Sequence, residues 1–183
     1  DITLDQNNLF STVSIPSPGA QDVTIRDTGG DLTLGTLGVN GNLTVNATGS
    51  IRNTNAVTIA VTGNAELNAA TTINLGTVGG DSLNFGTLSP SGTTVTIDED
   101  SPTRFSGGTM TALNVTSTGA IDQSGGVTVS GLSTFSPGPG GAGNVQFNLS
   151  GNNFRTITTG NTNTENMTIR DQGGDLILNT LTV

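Results

Sequence analysis

The sequence predicts an all-β chain wound as a right-handed parallel β-helix, a β-solenoid with essentially no α-helix. Three observations lead there. Residues 23–37, VTIRDTGGDLTLGTL, return as residues 167–181, MTIRDQGGDLILNTL, with 11 of 15 positions identical at an offset of 144 residues. Asn8, Phe10 and Thr12 match Asn152, Phe154 and Thr156 in the same register, and Val95-Thr96-Ile97 echoes Val23-Thr24-Ile25 at half that distance. Self-similarity at a fixed spacing is the signature of a repeat architecture. Second, short triplets in which two apolar residues flank a Thr, Ser or Asn recur along the whole chain. Their regular spacing, with turn residues between, is that of short strands in an all-β fold. Third, no window of helical length carries a 3.6-residue apolar period, so no helix is expected.

The elements follow in order. Ile2-Thr3-Leu4, Val13-Ser14-Ile15, Val23-Thr24-Ile25, Leu32-Thr33-Leu34, Leu43-Thr44-Val45 and Val57-Thr58-Ile59 open the series. Ile73-Asn74-Leu75, Val95-Thr96-Ile97, Leu113-Asn114-Val115, Val127-Thr128-Val129, Phe147-Asn148-Leu149 and Met167-Thr168-Ile169 continue it, and Leu176-Ile177-Leu178, with an apolar middle residue, closes it. On a strand, successive side chains point to opposite faces, so the apolar pair faces inward and the polar residue outward. Gly, Asn, Asp, Ser and Pro between triplets supply the corners. A sandwich or barrel would draw on an aromatic core, whereas this chain has six Phe and no Trp or Tyr. A solenoid instead stacks like residues on like in a narrow core of Val, Leu and Ile. Coils of roughly 18 to 30 residues, nine or fewer of them at about 4.8 Å each, would make a rod about 30–45 Å long. The right hand is the default for parallel crossovers. Two places break the rhythm. Residues 98–104 cluster three acids and a Pro and are expected to bulge from a corner; residues 136–143, SPGPGGAG, are expected to form a loop between coils, since Pro and Gly do not hold a central strand. Residues 1–183 are expected to form one continuous solenoid segment, a fragment of a longer repeat protein.

Composition narrows the function classes. Charged residues are 10% of the chain, against about 25% in ordinary soluble domains. Leu, Ile, Val and Phe make 46 of 183 residues, above the roughly 20% floor below which a chain stays disordered. Net charge is −9, and the whole basic complement is Arg26, Arg52, Arg104, Arg155 and Arg170. Nucleic-acid binding needs basic patches that displace counterions, so no nucleic-acid partner is expected. An acidic surface also disfavours anionic lipid. No run of about 18 apolar residues is present, so no membrane insertion is expected.

Residues 113–135, LNVTSTGAIDQSGGVTVSGLSTF, with residues 41–51, GNLTVNATGSI, resemble the β-strand repeats of very large bacterial exoproteins of the filamentous haemagglutinin type. The opening Ile2-Thr3-Leu4-Asp5 with Asn7, Asn8 and Phe10 is similar to the other half of that repeat, so the resemblance spans essentially the whole chain. It implies a non-catalytic shaft of a secreted or surface-displayed bacterial adhesin or extracellular filament. It implies an extracellular or cell-surface location, self-association end to end or laterally into fibres, and contact with host or neighbour-cell glycans or proteins. The alternative is a β-helix that binds or cleaves carbohydrate.

Candidate sites are few. Asp27, Asp31, Asp171 and Asp175 flank GG pairs and are weak calcium candidates, because carboxylates at a Gly turn suit a hard cation. Turn chemistry explains them more directly, since Asp and Gly form local hydrogen bonds and accept positive φ at corners. Arg26 and Arg170 are each expected to pair with an acid on an adjacent coil, at a gain of about 0–1 kcal/mol. Asp98, Glu99 and Asp100 form the densest acid cluster and the one place for a carboxylate-based active site. With no His, Lys or Tyr to act as base, catalysis is not expected. Asn42, Asn46, Asn114, Asn148 and Asn166 head N-x-S/T sequons and are possible glycosylation acceptors. No cofactor is expected.

Overall fold

The computed structural model describes residues 1–139 and 143–182. Its order of strands follows from alternation carried around corners. The first turn holds β1 (Ile2–Asn8) and β2 (Thr12–Ala20), and the second β3 (Val23–Asp27) and β4 (Leu32–Val39). The third and fourth hold β5 (Leu43–Ala47), β6 (Ile51–Asn53), β7 (Thr58–Ala69), β8 (Thr72–Leu75) and the start of β9 (Ser82–Glu99). The long strands β7 and β9 run around corners, so each contributes to two turns. The fifth and sixth turns add β10 (Thr103–Phe105), β11 (Thr109–Ser117) and β12 (Ile121–Gln123). The seventh and eighth add β13 (Thr128–Ser136), β14 (Asn144–Phe147), β15 (Asn153–Thr159) and β16 (Asn166–Ile169); β17 (Ile177–Leu178) lies on the turn after.

Every strand pairing is parallel, and the chain is an all-β solenoid of about eight turns with no helix among the described residues. One ladder climbs Ile2, Val23, Leu43, Ala65 and Leu88. A second climbs Thr33, Arg52, Asn74, Thr96, Asn114, Thr134 and Thr158 on its outward side. A third climbs Leu37, Ile59 and Leu83, and further along Ile121, Val145 and Met167 share a ladder. Turns differ in length: the step from Leu88 to Phe105 is short, and the step from Thr128 to Asn153 is long. At about 4.8 Å per turn the stack is about 38 Å long.

Alternation places the core as expected along most strands: β5 reads buried at Leu43, Val45 and Ala47, and half-buried at Thr44 and Asn46. The interior is not a purely aliphatic column, however. Phe105, Phe135, Phe147 and Phe154 are buried together, with ring centroids 5.0 Å apart for Phe135–Phe147 and 5.2 Å for Phe147–Phe154. Edge-to-face packing of the second pair is the arrangement the ring quadrupoles favour. The later turns thus hold an aromatic cluster that the count of six Phe did not suggest.

Two local expectations are corrected and a third, the loop over residues 136–143, is refined. Phe147-Asn148-Leu149 is not a strand triplet: β14 ends at Phe147 and the chain turns, leaving Leu149 exposed. The acid segment does not simply bulge, because Asp98 and Glu99 lie in β9 and only residues 100–102 form the corner. The 136–143 loop is partly integrated: Ser136 ends β13, and the Gly138 N–H donates to Gly119 O of the turn before at 3.0 Å. A Cβ at Gly138 would collide with the Thr118 carbonyl, which is why glycine stands there. Residues 140–142 of that loop lie outside the described residues.

The repeat and the turn are incommensurate. From Val23 three full turns pass through Leu43 and Ala65 to Leu88, and the next side of the coil, still within β9, brings Val95. From Val95 three more pass through Leu113 and Ser133 to Ile157, and the next strand brings Met167. Each copy of the half-length repeat therefore advances three turns plus one strand, so successive copies of the phrase fall on different ladders.

Candidate functional site

The repeat returns in geometry as well as wording, at one corner seen three times. In the first copy Asp27 Oδ1 accepts the Phe10 N–H of the turn before at 2.7 Å. In the second, Glu99 Oε1 accepts the Phe85 N–H at 2.8 Å, and in the third Asp171 Oδ1 accepts the Phe154 N–H at 2.7 Å. The next backbone N–H donates to the same preceding turn each time: Thr28 to Asn8 O, Asp100 to Leu83 O and Gln172 to Asn152 O. A carboxylate at this position thus clips two turns together.

The copies differ in their second component. Asn8 Nδ2 donates to Leu4 O and Arg26 O, and Asn152 Nδ2 occupies the matching place, reaching Phe147 O, Leu149 O, Arg170 O and Gln123 Oε1. Asn152 is fully buried and also accepts the Val127 N–H at 3.0 Å through Oδ1. The middle copy has Leu83 there, and Asp98 where the others carry Arg26 and Arg170. Glu99 is completely buried, with Oε2 lacking a hydrogen bond as Asp27 Oδ2 does in the first copy, and burial pushes it up to about 6 from 4.5. Alternation turns Asp98 and Asp100 outward while Glu99 points in, so the three acids do not converge on one cleft. Burial, and then Asp100, raises Asp98 above the ordinary carboxylate range.

The other acids at Gly turns also serve corners. Asp31 Oδ1 accepts the Ser50 N–H at 2.8 Å, and Oδ2 meets Arg52 at 3.2 Å; the Ser50 hydrogen bonds, with Arg52, hold its carboxyl below the usual range. Asp175 is exposed, and its backbone carbonyl accepts from Arg155. Asp81 accepts the Val57 N–H and the Asn53 amide. Asp22 and Asn42 each accept the N–H of the residue stacked one turn on, Asn42 and Asn64. The four weak calcium candidates lie in two separate pairs, Asp27 buried, and among the described residues no group of three His, Cys, Asp or Glu is gathered to hold a metal.

Ion pairs between coils occur, but not where expected. Arg52 pairs with Asp31, and Arg104 meets Asp122 at 3.7 Å; Arg26 and Arg170 form no ion pair among the described residues. Each stands one residue before its inward carboxylate, so its side chain leaves on the opposite face. Arg26 instead rims a groove of about 340 Å³ with Asn46, Asn68, Ala69, Ser91 and Gly92, where the Asn68 amide donates to Asn46 Oδ1 at 3.0 Å. Nothing in the linear sequence marks that groove, because its walls come from four turns.

The sequons divide by engagement. Asn42, Asn46 and Asn166 take part in side-chain hydrogen bonds with stacked neighbours, whereas Asn114 and Asn148 are exposed without one among the described residues, Asn148 just past the end of β14. Among the described residues no helix is long and apolar enough to cross a membrane.

Neither a curated protein nor a solved structure matches the chain. A family model described as repeats of unknown function matches twice, over residues 20–89 and 91–161, in step with the internal echo. Together these matches cover most of the molecule, and the chain belongs to that family, DUF5649.

Proposed function

We propose that the chain is a non-catalytic structural segment of a secreted or surface-displayed bacterial adhesin or extracellular filament of the filamentous haemagglutinin type. The observation that carries this reading is the succession of parallel strand pairings, from Ile2 to Leu178, around an apolar core. Interstrand hydrogen bonds run along the axis, so axial load is shared by many bonds while each turn contacts only its neighbours. Lateral self-association into fibres belongs to the same proposal. The outward row Thr33, Arg52, Asn74, Thr96, Asn114, Thr134, Thr158 carries a single charge, although the chain as a whole is at −9. Immunogold electron microscopy of intact producing cells tests the role: label along thin rods outside the envelope is the expected result, and label confined to the cell interior would overturn it.

The Arg26 groove favours a second reading, a side that binds glycans carrying carboxylates. Retention of polyuronate but not dextran by the wild-type chain, lost in Arg26→Ala, would support it; equal behaviour of the two chains would remove it.

A further inference from the structure

Two of the three equivalent corners, the first and the middle, bury their carboxylate with one oxygen lacking a hydrogen bond, Asp27 and Glu99, but only the middle one flanks it with further acids. Glu99 lies at the end of β9, its Oε1 accepting from the Phe85 N–H at 2.8 Å and from the Ser101 hydroxyl at 2.9 Å. Oε2 is buried without a hydrogen bond of good geometry; the Thr103 hydroxyl beside it favours the ionised carboxyl, as do the Phe85 N–H and the Ser101 hydroxyl, but the cost of burial outweighs all three. An ionised carboxylate with one oxygen buried and unpartnered is costly, whereas a protonated one carries its own donor and leaves no net charge in the core.

The charged groups around it offer no relief. On its own strand Asp98 and Asp100 flank it, and Asp100 repels its ionised form. The preceding corner contributes Asp81, which faces a groove with Asp98 and Asp100. The strand β10 brings Arg104, which points outward and meets Asp122 of β12 at 3.7 Å. The strands β8 and β11 on either side bring no charged side chain. By contrast the first and third corners stand beside Arg26 and Arg170.

We propose that the Glu99 corner is a proton-operated latch in the middle of the solenoid, closed when the carboxyl is protonated and loosened when it is ionised. Loosening means that residues 98–102 swing outward to hydrate the carboxylate, releasing the Phe85 and Asp100 N–H groups that clip the fourth and fifth turns. Repulsion among Asp98, Glu99 and Asp100 drives the same movement. Burial raises Glu99 to about 6, which places the transition between mildly acidic and neutral surroundings.

Hydrogen exchange at the Phe85 and Asp100 amides, corrected for intrinsic rates, reads the latch directly. Between pH 4.5 and pH 7.5 the wild-type opening constant should rise by up to about 30-fold, the factor given by a shift from 4.5 to about 6. In Glu99→Gln most of that rise should disappear, leaving only the smaller dependence that Asp98 contributes. Wild-type protection independent of pH, or a variant that keeps the wild-type dependence, would overturn the proposal. A carboxyl ¹³C titration of the unmodified chain decides the matter without any variant: a Glu99 midpoint near 4.5 would end the idea.

Discussion

Asn152 and Asn8 occupy equivalent positions in two copies of the repeat, yet their burial sets different energetic roles. The Asn152 side chain reaches four acceptors and one donor in a closed pocket, so removing its amide strands buried partners that cost about 1–3 kcal/mol each. Asn152→Ala should lower stability by about 3 kcal/mol or more in urea unfolding, and Asn8→Ala by less than about 1 kcal/mol. Ser133 presents the opposite case, a buried hydroxyl without a partner, stacked between Leu113 and Ile157 in an otherwise apolar ladder. Ser133→Ala should therefore stabilise the chain by about 1 kcal/mol; an equal loss would show that the hydroxyl has a partner in solution. Glu99 makes stability depend on pH. Its folded value, about 6, lies above the unfolded 4.5, so its contribution is complete below about pH 4.5 and is lost as pH rises through 6, a change of about 2 kcal/mol. Asp98 and Asp122, both raised by burial, act in the same direction, and the exposed Asp31, lowered, acts in the other. Urea midpoints measured at pH 5 and 7.5 should be higher at pH 5.

Among the elements, β13, β14 and β15 differ from the earlier strands in what they pack. Their Phe135, Phe147 and Phe154 form one cluster with Phe105 of β10. Phe147 touches the other three rings and is fully buried, so Phe147→Ala should cost about 3–5 kcal/mol. Leu43→Ala, in the aliphatic half, falls in the range of about 2–5 kcal/mol, and the two losses should add because the sites share no partner. Thermal unfolding of the two single variants and the double variant checks both statements. The strands themselves were legible in the sequence wherever Thr, Ser or Asn separated two aliphatic residues, as in β3 and β5. They were not legible at β10, TRF, or β12, IDQ, where charged and amide residues interrupt the wording but the neighbouring turns supply the pairing.

At the scale of the molecule, each turn contacts its neighbours alone, so stability should grade along the axis. Ile177 and Leu178 are about half exposed, while Ile73, Val95 and Val115 are fully buried. Exchange should accordingly be fastest in β1, β16 and β17 and slowest from β6 to β13, and uniform protection along the chain would contradict nearest-neighbour coupling. The amino-acid sequence alone determined the all-β class, the inward and outward faces of most strands, and the wording of the repeat, because strand alternation and turn chemistry are local. The Asp residues beside GG pairs were readable as corner residues for the same reason. Only the tertiary structure decided how the repeat maps onto the coil, since turns of unequal length do not divide the repeat evenly and each copy steps to a new ladder. That stepping places Arg26 in a groove walled by four turns, gathers four dispersed phenylalanines, and turns Glu99 into the core while its acidic neighbours face water. Which side chains meet across turns depends on the length of every corner between them, a sum that no local pattern contains.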